Sequence, residues 1–414
     1  MRKVAVSTSI ALLLAMLSVS AAGQTNRAYS KTEAEARKVV SKVLKASPII
    51  DGHNDLFAWY FGCDYKKLPK CPQGVEDYPI DRVTKGQTDI PRWRKGGVGG
   101  VLLNVFGSDV FDASRESAFA YLLEKSYPND LQVVTTTAGM RRAMRSGKIA
   151  LLLSMEDSEK LKGDISKLDL LYNLGLRCMT FTYMTGPFGD GSDDEPRNNG
   201  LSENGKQLVK RMNDLGILID MSHISPKTMS DILDLTKAPV IFSHSNARGL
   251  ANVNRNVPDD VLLRLKANGG MIMLDMVADH VTNQFGKWMK EGDEIYFATK
   301  KKSPDDKAFL KHVMAEWESK NPMPRVSVAD VADHFDYVKK LIGVEHIGIG
   351  GDYDGMDFPI PGLEDVSTFP NLLTELARRG WSEMELRKIT SENFLRVFDG
   401  VERTARKGNK NKGL

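Results

Sequence analysis

The chain of 414 residues has little cysteine: three residues, with no pair at zinc-knuckle spacing, so thiolates are not expected as metal ligands. It lacks an excess of either charge. Lys and Arg number 57 against 54 Asp and Glu, and a formal net charge of +3 gives no global footprint for nucleic acid. No G-x-G-x-x-G or Walker sequence occurs, which removes support for nucleotide binding. After the first two dozen residues no apolar run approaches the roughly 20 residues that cross a bilayer. No linker divides the chain, and no solenoid-type repeat is found. What is present is ordinary globular material, 41% hydrophobic and 27% charged, which excludes disorder as the main state. A chain of this length can bury a large core without disulfide staples.

The N-terminus reads as a secretory signal over residues 1–22. Arg2 and Lys3 start it, Val4 to Val19 is largely apolar, and Ser20-Ala21-Ala22 offers a small-residue cleavage site. The competing reading, a single membrane anchor, is disfavoured by the shortness of the run. No cysteine follows the cleavage site, and the basic end Lys407–Leu414 lacks the apolar tail of a lipid-anchor signal. The expectation is an exported, soluble protein, periplasmic or secreted, with no stable membrane insertion after cleavage. One domain is expected over 30–405, followed by a basic flexible tail at 406–414. In an oxidising compartment Cys63 and Cys71, which share one loop-like segment, could pair. Cys178, in an apolar run, is expected to be a buried thiol.

Eight short apolar runs alternate with amphipathic stretches. They are Pro48–Asp55, Gly97–Phe106, Ile149–Glu156, Arg177–Tyr183, Ile217–His223, Pro239–His244, Gly270–Asp275 and His346–Asp352. Near-continuous hydrophobic strings are what parallel strands buried on both faces require. Helical stretches lie between them, among them Gly205–Leu215, Pro258–Asn268 and Val326–Leu341. The pattern predicts an α/β fold, a (β/α)8 TIM barrel. An open doubly wound sheet would normally carry a glycine-rich loop after its first strand, and this first strand ends in DGHND instead. Three longer insertions remain: Phe57–Pro91, Met184–Leu201 and Val277–Pro324. The second follows a strand end and is a candidate active-site loop, or an ordinary surface loop.

The ends of these runs carry the chemistry. His53 and Asp55 end the first, Glu156 the third, His223 the fifth, His244 the sixth and Asp352 the eighth. Barrel strands converge at their carboxyl ends, where active sites are built. Residues i and i+2 on a strand point the same way, so His53 and Asp55 can reach one ion. Imidazoles and carboxylates together suit zinc and related divalent ions, and a pair of ions needs a bridging oxygen. The expected set is therefore His53 and Asp55 on one ion, His223 and His244 on the other, and Glu156 across both. Any one histidine at a strand end is more often structural. Three of the seven histidines at such ends are not easily explained that way. His280, His312, His334 and His346 fall elsewhere, and His346 starts a strand at the opposite barrel end. Asp352 is the candidate acid–base residue. Its alternative, a turn-former in GGDYDG, suits Asp354 better.

With these residues in place, the sequence resembles the membrane (renal) dipeptidase family of binuclear zinc peptidases, within the metal-dependent amidohydrolase-like barrels. The matching segments are DGHND at Asp51–Asp55, SMED around Glu156, LGILIDMSH ending at His223, SHSNAR at Ser243–Arg248, NRNVPDD at Asn254–Asp260 and GGDYDG at Gly350–Gly355. PGLEDVS and ENFLRVF continue it, so it spans about residues 40 to 403 in order. The resemblance implies that His53, Asp55, Glu156, His223 and His244 hold two Zn2+ ions and that Asp352 is the catalytic acid–base. It also implies that Arg255 receives a substrate carboxylate, a task its guanidinium fork suits. Read without the resemblance, Arg255 is an ordinary salt-bridge or helix-entry residue, beside the capping context Asn256…Pro258-Asp259. The implied substrate is a dipeptide, L-Xaa-L-Xaa or L-Xaa-D-Xaa. Members are commonly dimers, which leaves a homodimer open for this chain.

One departure bears on catalysis. The family usually places a histidine at the end of the fourth strand, where this chain has Tyr183 in TFTYMTG. A phenol can donate to a developing oxyanion but carries no positive charge, and Tyr183 equally suits packing at the rim. A related amide (an acylated amino acid, a cyclic amide or a β-lactam) is accordingly a second candidate substrate. A binding protein on a decayed scaffold is a third reading, and the intact ligand set opposes it.

Overall fold

The computed structural model describes residues 29–411, apart from 64, 65 and 67. The segment read as a signal, 1–22, lies outside the described residues. Nine strands occur among them: β1 (Ile49–Asn54), β2 (Val98–Val105), β3 (Leu131–Val133), β4 (Ile149–Glu156), β5 (Leu176–Thr180), β6 (Leu218–Asp220), β7 (Ile241–Phe242), β8 (Met271–Leu274) and β9 (Ile347–Ile349). All their pairings are parallel. β1 lies between β2 and β9, β2 pairs β4, and β4 to β9 follow in chain order, which closes a ring of eight. The fold is a (β/α)8 barrel; seven of its eight strands fall within the expected apolar runs, and β5 starts one residue before its run, at Leu176.

β3 is the ninth strand and lies outside the ring. It takes the first half of the β4 edge, opposite Ile149–Leu151, and β5 takes the second half, opposite Leu153–Glu156. Its three residues, LQV, bury only Leu131, so no apolar run announces it. The helices between strands start and stop on local signals. Ser202 caps Glu203–Leu215 by accepting from the Gly205 amide, and Gly216 ends that helix in the left-handed region. Ser225 followed by Pro226 opens Pro226–Leu235 in the same manner.

β4 fills its run, Ile149–Glu156, but several other strands stop before theirs do. β5 stops at Thr180, β6 at Asp220, β7 at Phe242 and β9 at Ile349. Tyr183, His223, His244 and Asp352 therefore stand two or three residues past the ladder, in turns. His223 and Asp352 take φ of 68° and 55°, a backbone that no strand contains. The buried turns keep the sequence apolar after the strand has ended. The Val277–Pro324 insertion is largely helical, with Asn283–Lys302 and Lys307–Lys320 packed through Trp288 and Trp317, ring centroids 5.2 Å apart. The final helix, Asn393–Asn411, extends into the segment expected as a flexible tail, so residues 406–411 are helical.

Close approach of β1 and β9 to the turn after β7 depends on two glycines. A Cβ on Gly52 would lie 2.2 Å from the Ser243 carbonyl oxygen, and one on Gly350 would lie 2.3 Å from it. Backbone cannot yield there without moving His244. Gly350→Ala is expected to destabilise the fold by about 3 kcal/mol through overpacking. A thermal melt within a degree or two of the parent would contradict that packing.

Candidate active site

Five chain segments deliver side chains to the mouth of the barrel. β1 brings His53 and, one residue past its end, Asp55; β4 brings Glu156; the turns after β6, β7 and β9 bring His223, His244 and Asp352. Glu156 is central. Its Oε1 lies 3.0 Å from His223 Nε2 and 3.5 Å from His244 Nε2, and its Oε2 lies 3.9 Å from His53 Nε2. His53 Nε2 is also 3.4 Å from Asp55 Oδ1. Three overlapping donor groups result: His53, Asp55 and Glu156; Glu156, His223 and His244; and His53, His244 and Asp352, each with its ligand atoms within 4.8 Å of one another. The six residues singled out at the ends of the runs thus meet at one place.

Further residues hold this cluster and were not read from the sequence. Asn104, near the end of β2, donates from Nδ2 to Asp55 Oδ1 at 2.8 Å and to Glu156 Oε2 at 3.1 Å, and its Oδ1 accepts from the Glu156 amide. One carboxamide thereby sets the spacing of both carboxylates. The signal was a lone polar residue inside the apolar run GVLLNVF. Behind His244, Ser243 Oγ contacts the ring Nδ1 at 2.7 Å and donates to Asp220 Oδ2 at 2.6 Å. Such outer contacts fix the ring and leave Nε2 facing the cluster. Asn104→Ala is expected to weaken metal affinity by about 10–100-fold. Equilibrium dialysis against zinc checks this, and unchanged affinity would remove Asn104 from the account.

Arg255 is buried, 5% exposed. Its Nη1 donates to Ser245 Oγ and its Nη2 to the His244 carbonyl, while Nε has no partner. No carboxylate of the described residues forms an ion pair with it, so the ordinary ion-pair role does not apply. Tyr183 lies over His223, ring centroids 4.3 Å apart, and is 46% exposed at the rim. The Met184–Leu201 loop lies beside the same histidine, where the Ser192 amide donates to the His223 carbonyl at 2.7 Å. Past β8, a buried pair joins His280 Nδ1 to Asp275 Oδ2 at 2.8 Å, and Asn246 also donates to Asp275. At the other end of the barrel His346 Nδ1 contacts the Gly270 carbonyl at 2.7 Å, a structural role.

Burial sets the electrostatics. It disfavours charge on His223, as does Arg255, and that ring is pushed down to about 4. Burial, His53 and Arg255 hold His244 well below the usual imidazole range. Burial opposes a charge on His53 too, but Asp55 and Glu156 outweigh it and raise that ring to about 10. Glu156, buried but surrounded by imidazoles, is held well below the usual carboxylate range. Asp352 is pushed well above that range by burial, against the pull of His53 and with Asp55 and Glu156 adding to the rise. Tyr183, half-covered at the rim, is raised to about 12 by that partial burial and by Glu156, so its phenol keeps its proton near neutral pH.

The donor set fits cations. Both ring nitrogens of His53 are buried without a hydrogen-bond partner among the described residues, an arrangement that is costly unless something else engages them. Imidazole nitrogen and carboxylate oxygen are the donors that zinc and its neighbours take. The family profile of membrane dipeptidases, Peptidase family M19, matches residues 37–412. The chain belongs to this family. Dipeptidase verJ of Clonostachys rogersoniana is 32% identical over 389 residues, 88% of this chain and 87% of that one. Among solved structures, the probable dipeptidase PvdM of Pseudomonas aeruginosa superposes with a TM-score of 0.75 at 24% identity, covering 90% of this chain and 100% of that one. A metallopeptidase from Rhodobacter sphaeroides, solved with a phosphinate mimic of L-Ala-D-Ala, gives 0.68 at 21% identity, over 86% of this chain and 99% of that one. At these identities the structural likenesses establish the fold alone. Membership of the M19 family makes the chain a metal-dependent hydrolase of peptide bonds.

Proposed function

We propose that the chain is an exported dipeptidase that works with two zinc ions. His53 and Asp55 would hold one ion, His223 and His244 the other, and Glu156 would serve both. The observation that carries this reading is the division of Glu156: one oxygen faces His223 and His244 and the other faces His53. Bound there, such ions supply Lewis acidity toward a carbonyl oxygen and activate water near neutral pH.

The chain's own residues do the rest. Arg255 presents a buried guanidinium with no carboxylate partner and an unengaged Nε, so it suits the free carboxylate of a short substrate. That places the scissile bond one residue from the substrate's end. Asp352 takes a proton from the attacking water and returns it to the departing amine nitrogen, the exchange that general acid–base catalysis requires. Tyr183, protonated and at the rim, can donate to the oxygen that gains charge. The disulfide between Cys63 and Cys71 supports an oxidising compartment, in line with export after removal of residues 1–22.

The test is a panel of L-Xaa-L-Xaa and L-Xaa-D-Xaa dipeptides alongside the same peptides with an amidated C-terminus. Amidation removes the anion from a charge-assisted pair and is expected to lower kcat/KM by about 10–100-fold. Equal turnover of acid and amide would exclude the role of Arg255. No turnover of any dipeptide by protein with two zinc ions bound would exclude the dipeptidase reading and favour a related amide.

A further inference from the structure

Asp352 lies in a turn, Gly350–Gly355, that needs outside support. Asp352 and Asp354 both take positive φ, 55° and 70°, where a Cβ crowds the backbone. The turn wraps the carboxylates closely. A Cβ on Gly355 would fall 2.2 Å from Asp55 Oδ2 and 2.6 Å from Asp352 Oδ1. β1 holds the first half of the turn, with the Asp352 amide donating to the His53 carbonyl at 3.1 Å and the Asp55 amide to the Tyr353 carbonyl at 2.9 Å. Asp354, 2% exposed, anchors the second half. Its Oδ1 accepts from Trp59 Nε1 at 2.8 Å and from the Gln87 amide at 2.7 Å, and its own amide donates to Gln87 Oε1 at 2.7 Å. Its carbonyl accepts from Lys66 Nζ.

These partners all come from the Phe57–Pro91 insertion, which supplies none of the cluster residues. Trp59 is itself fixed by stacking on Tyr78, with ring centroids 5.2 Å apart and planes 7° from parallel. Lys66 stands 5.5 Å from the Trp59 ring, inside the loop closed by the Cys63–Cys71 disulfide. The insertion therefore reads as a seat for one turn of the active site. A strained turn persists where its surroundings over-determine it, and such turns gather at active sites.

We propose that Asp354 is the positioning residue of the acid–base group. Seated by Trp59 and Gln87 and covered by Lys66, it fixes the far side of a turn whose near side β1 holds. The Asp352 carboxylate is thereby kept within reach of His53 and His244, where its ligand atom lies within 4.8 Å of theirs. This rests on the reading of Asp352 as the acid–base residue.

The experiment compares kcat and KM on one dipeptide for the full-length, zinc-loaded protein and its variants Trp59→Phe, Asp354→Ala, Asp354→Asn, Lys66→Met and Asp352→Asn. Trp59→Phe keeps a ring against Tyr78 and removes one donor to Asp354. Trp59→Phe and Asp354→Ala are expected to lower kcat by about 10–100-fold with KM and zinc content held, because they act through a neighbouring group. Asp354→Asn, whose amide oxygen can still accept both N–H groups, is expected to recover most of that loss. Lys66→Met is expected to lower kcat by about fivefold, the value of one hydrogen bond. A Trp59→Phe protein with kcat within about twofold of the parent overturns the proposal, provided Asp352→Asn is inactive. An active Asp352→Asn protein would instead sink the acid–base reading beneath it. Should Asp354→Ala fail to fold, Trp59→Phe decides the question alone.

Discussion

Glu156→Gln is expected to lower kcat/KM on dipeptides by about 10³-fold or more, the several kcal/mol that metal ions contribute to such reactions. The reason is the position of one carboxylate between two groups of imidazoles. Its Oε1 serves the His223 and His244 side and its Oε2 the His53 side, and Asn104 holds Oε2 in place. Glutamine keeps the size but loses the charge, and it must turn an NH2 donor toward one of the two sides. Metal content is expected to fall below two per chain. Elemental analysis and steady-state rates on the same sample check both parts. A Glu156→Gln protein with full activity and two ions bound would show that no shared carboxylate is needed.

Asp352→Asn is expected to lower kcat by about 10²–10⁴-fold, the usual worth of a positioned proton-transfer group. KM and metal content are expected to stay near the parent values, because His53, Asp55, Glu156, His223 and His244 are untouched. That separation matters here. Asp352 also lies within 4.8 Å of His53 and His244 as a group that could hold an ion. Loss of zinc along with activity would make Asp352 a ligand rather than the proton carrier. Retention of activity within tenfold would move the proton transfer to another group.

The barrel was legible in the sequence because its strands are buried on both faces and so are written as unbroken apolar runs. The short β3 was not, since its three residues bury one side chain and share an edge of β4 with β5. The residues at the mouth were legible for a related reason. Polar residues that end apolar runs stand out, and His53, Asp55, Glu156, His223, His244 and Asp352 all do so. Their exact placement was not: the ladder ends earlier than the apolar run, and left-handed turns at His223 and Asp352 carry the side chains inward. Asn104 and the Asp220–Ser243 pair escaped because polar groups that only brace others leave no pattern in spacing. Asp354 was seen as a turn residue, which it is, but its partners lie in an insertion hundreds of positions away in the chain. Contacts of that range belong to the closed ring and not to any local stretch.

Glu156 shared between two bound cations is what the proposed dipeptidase depends on most. The direct measurement is a crystal structure of the zinc-loaded protein with anomalous diffraction recorded at the zinc edge. Two peaks about 3.5–4 Å apart are expected, with Glu156 touching both, His53 and Asp55 on one, and His223 and His244 on the other. A single peak, or two peaks of which Glu156 contacts only one, would contradict it.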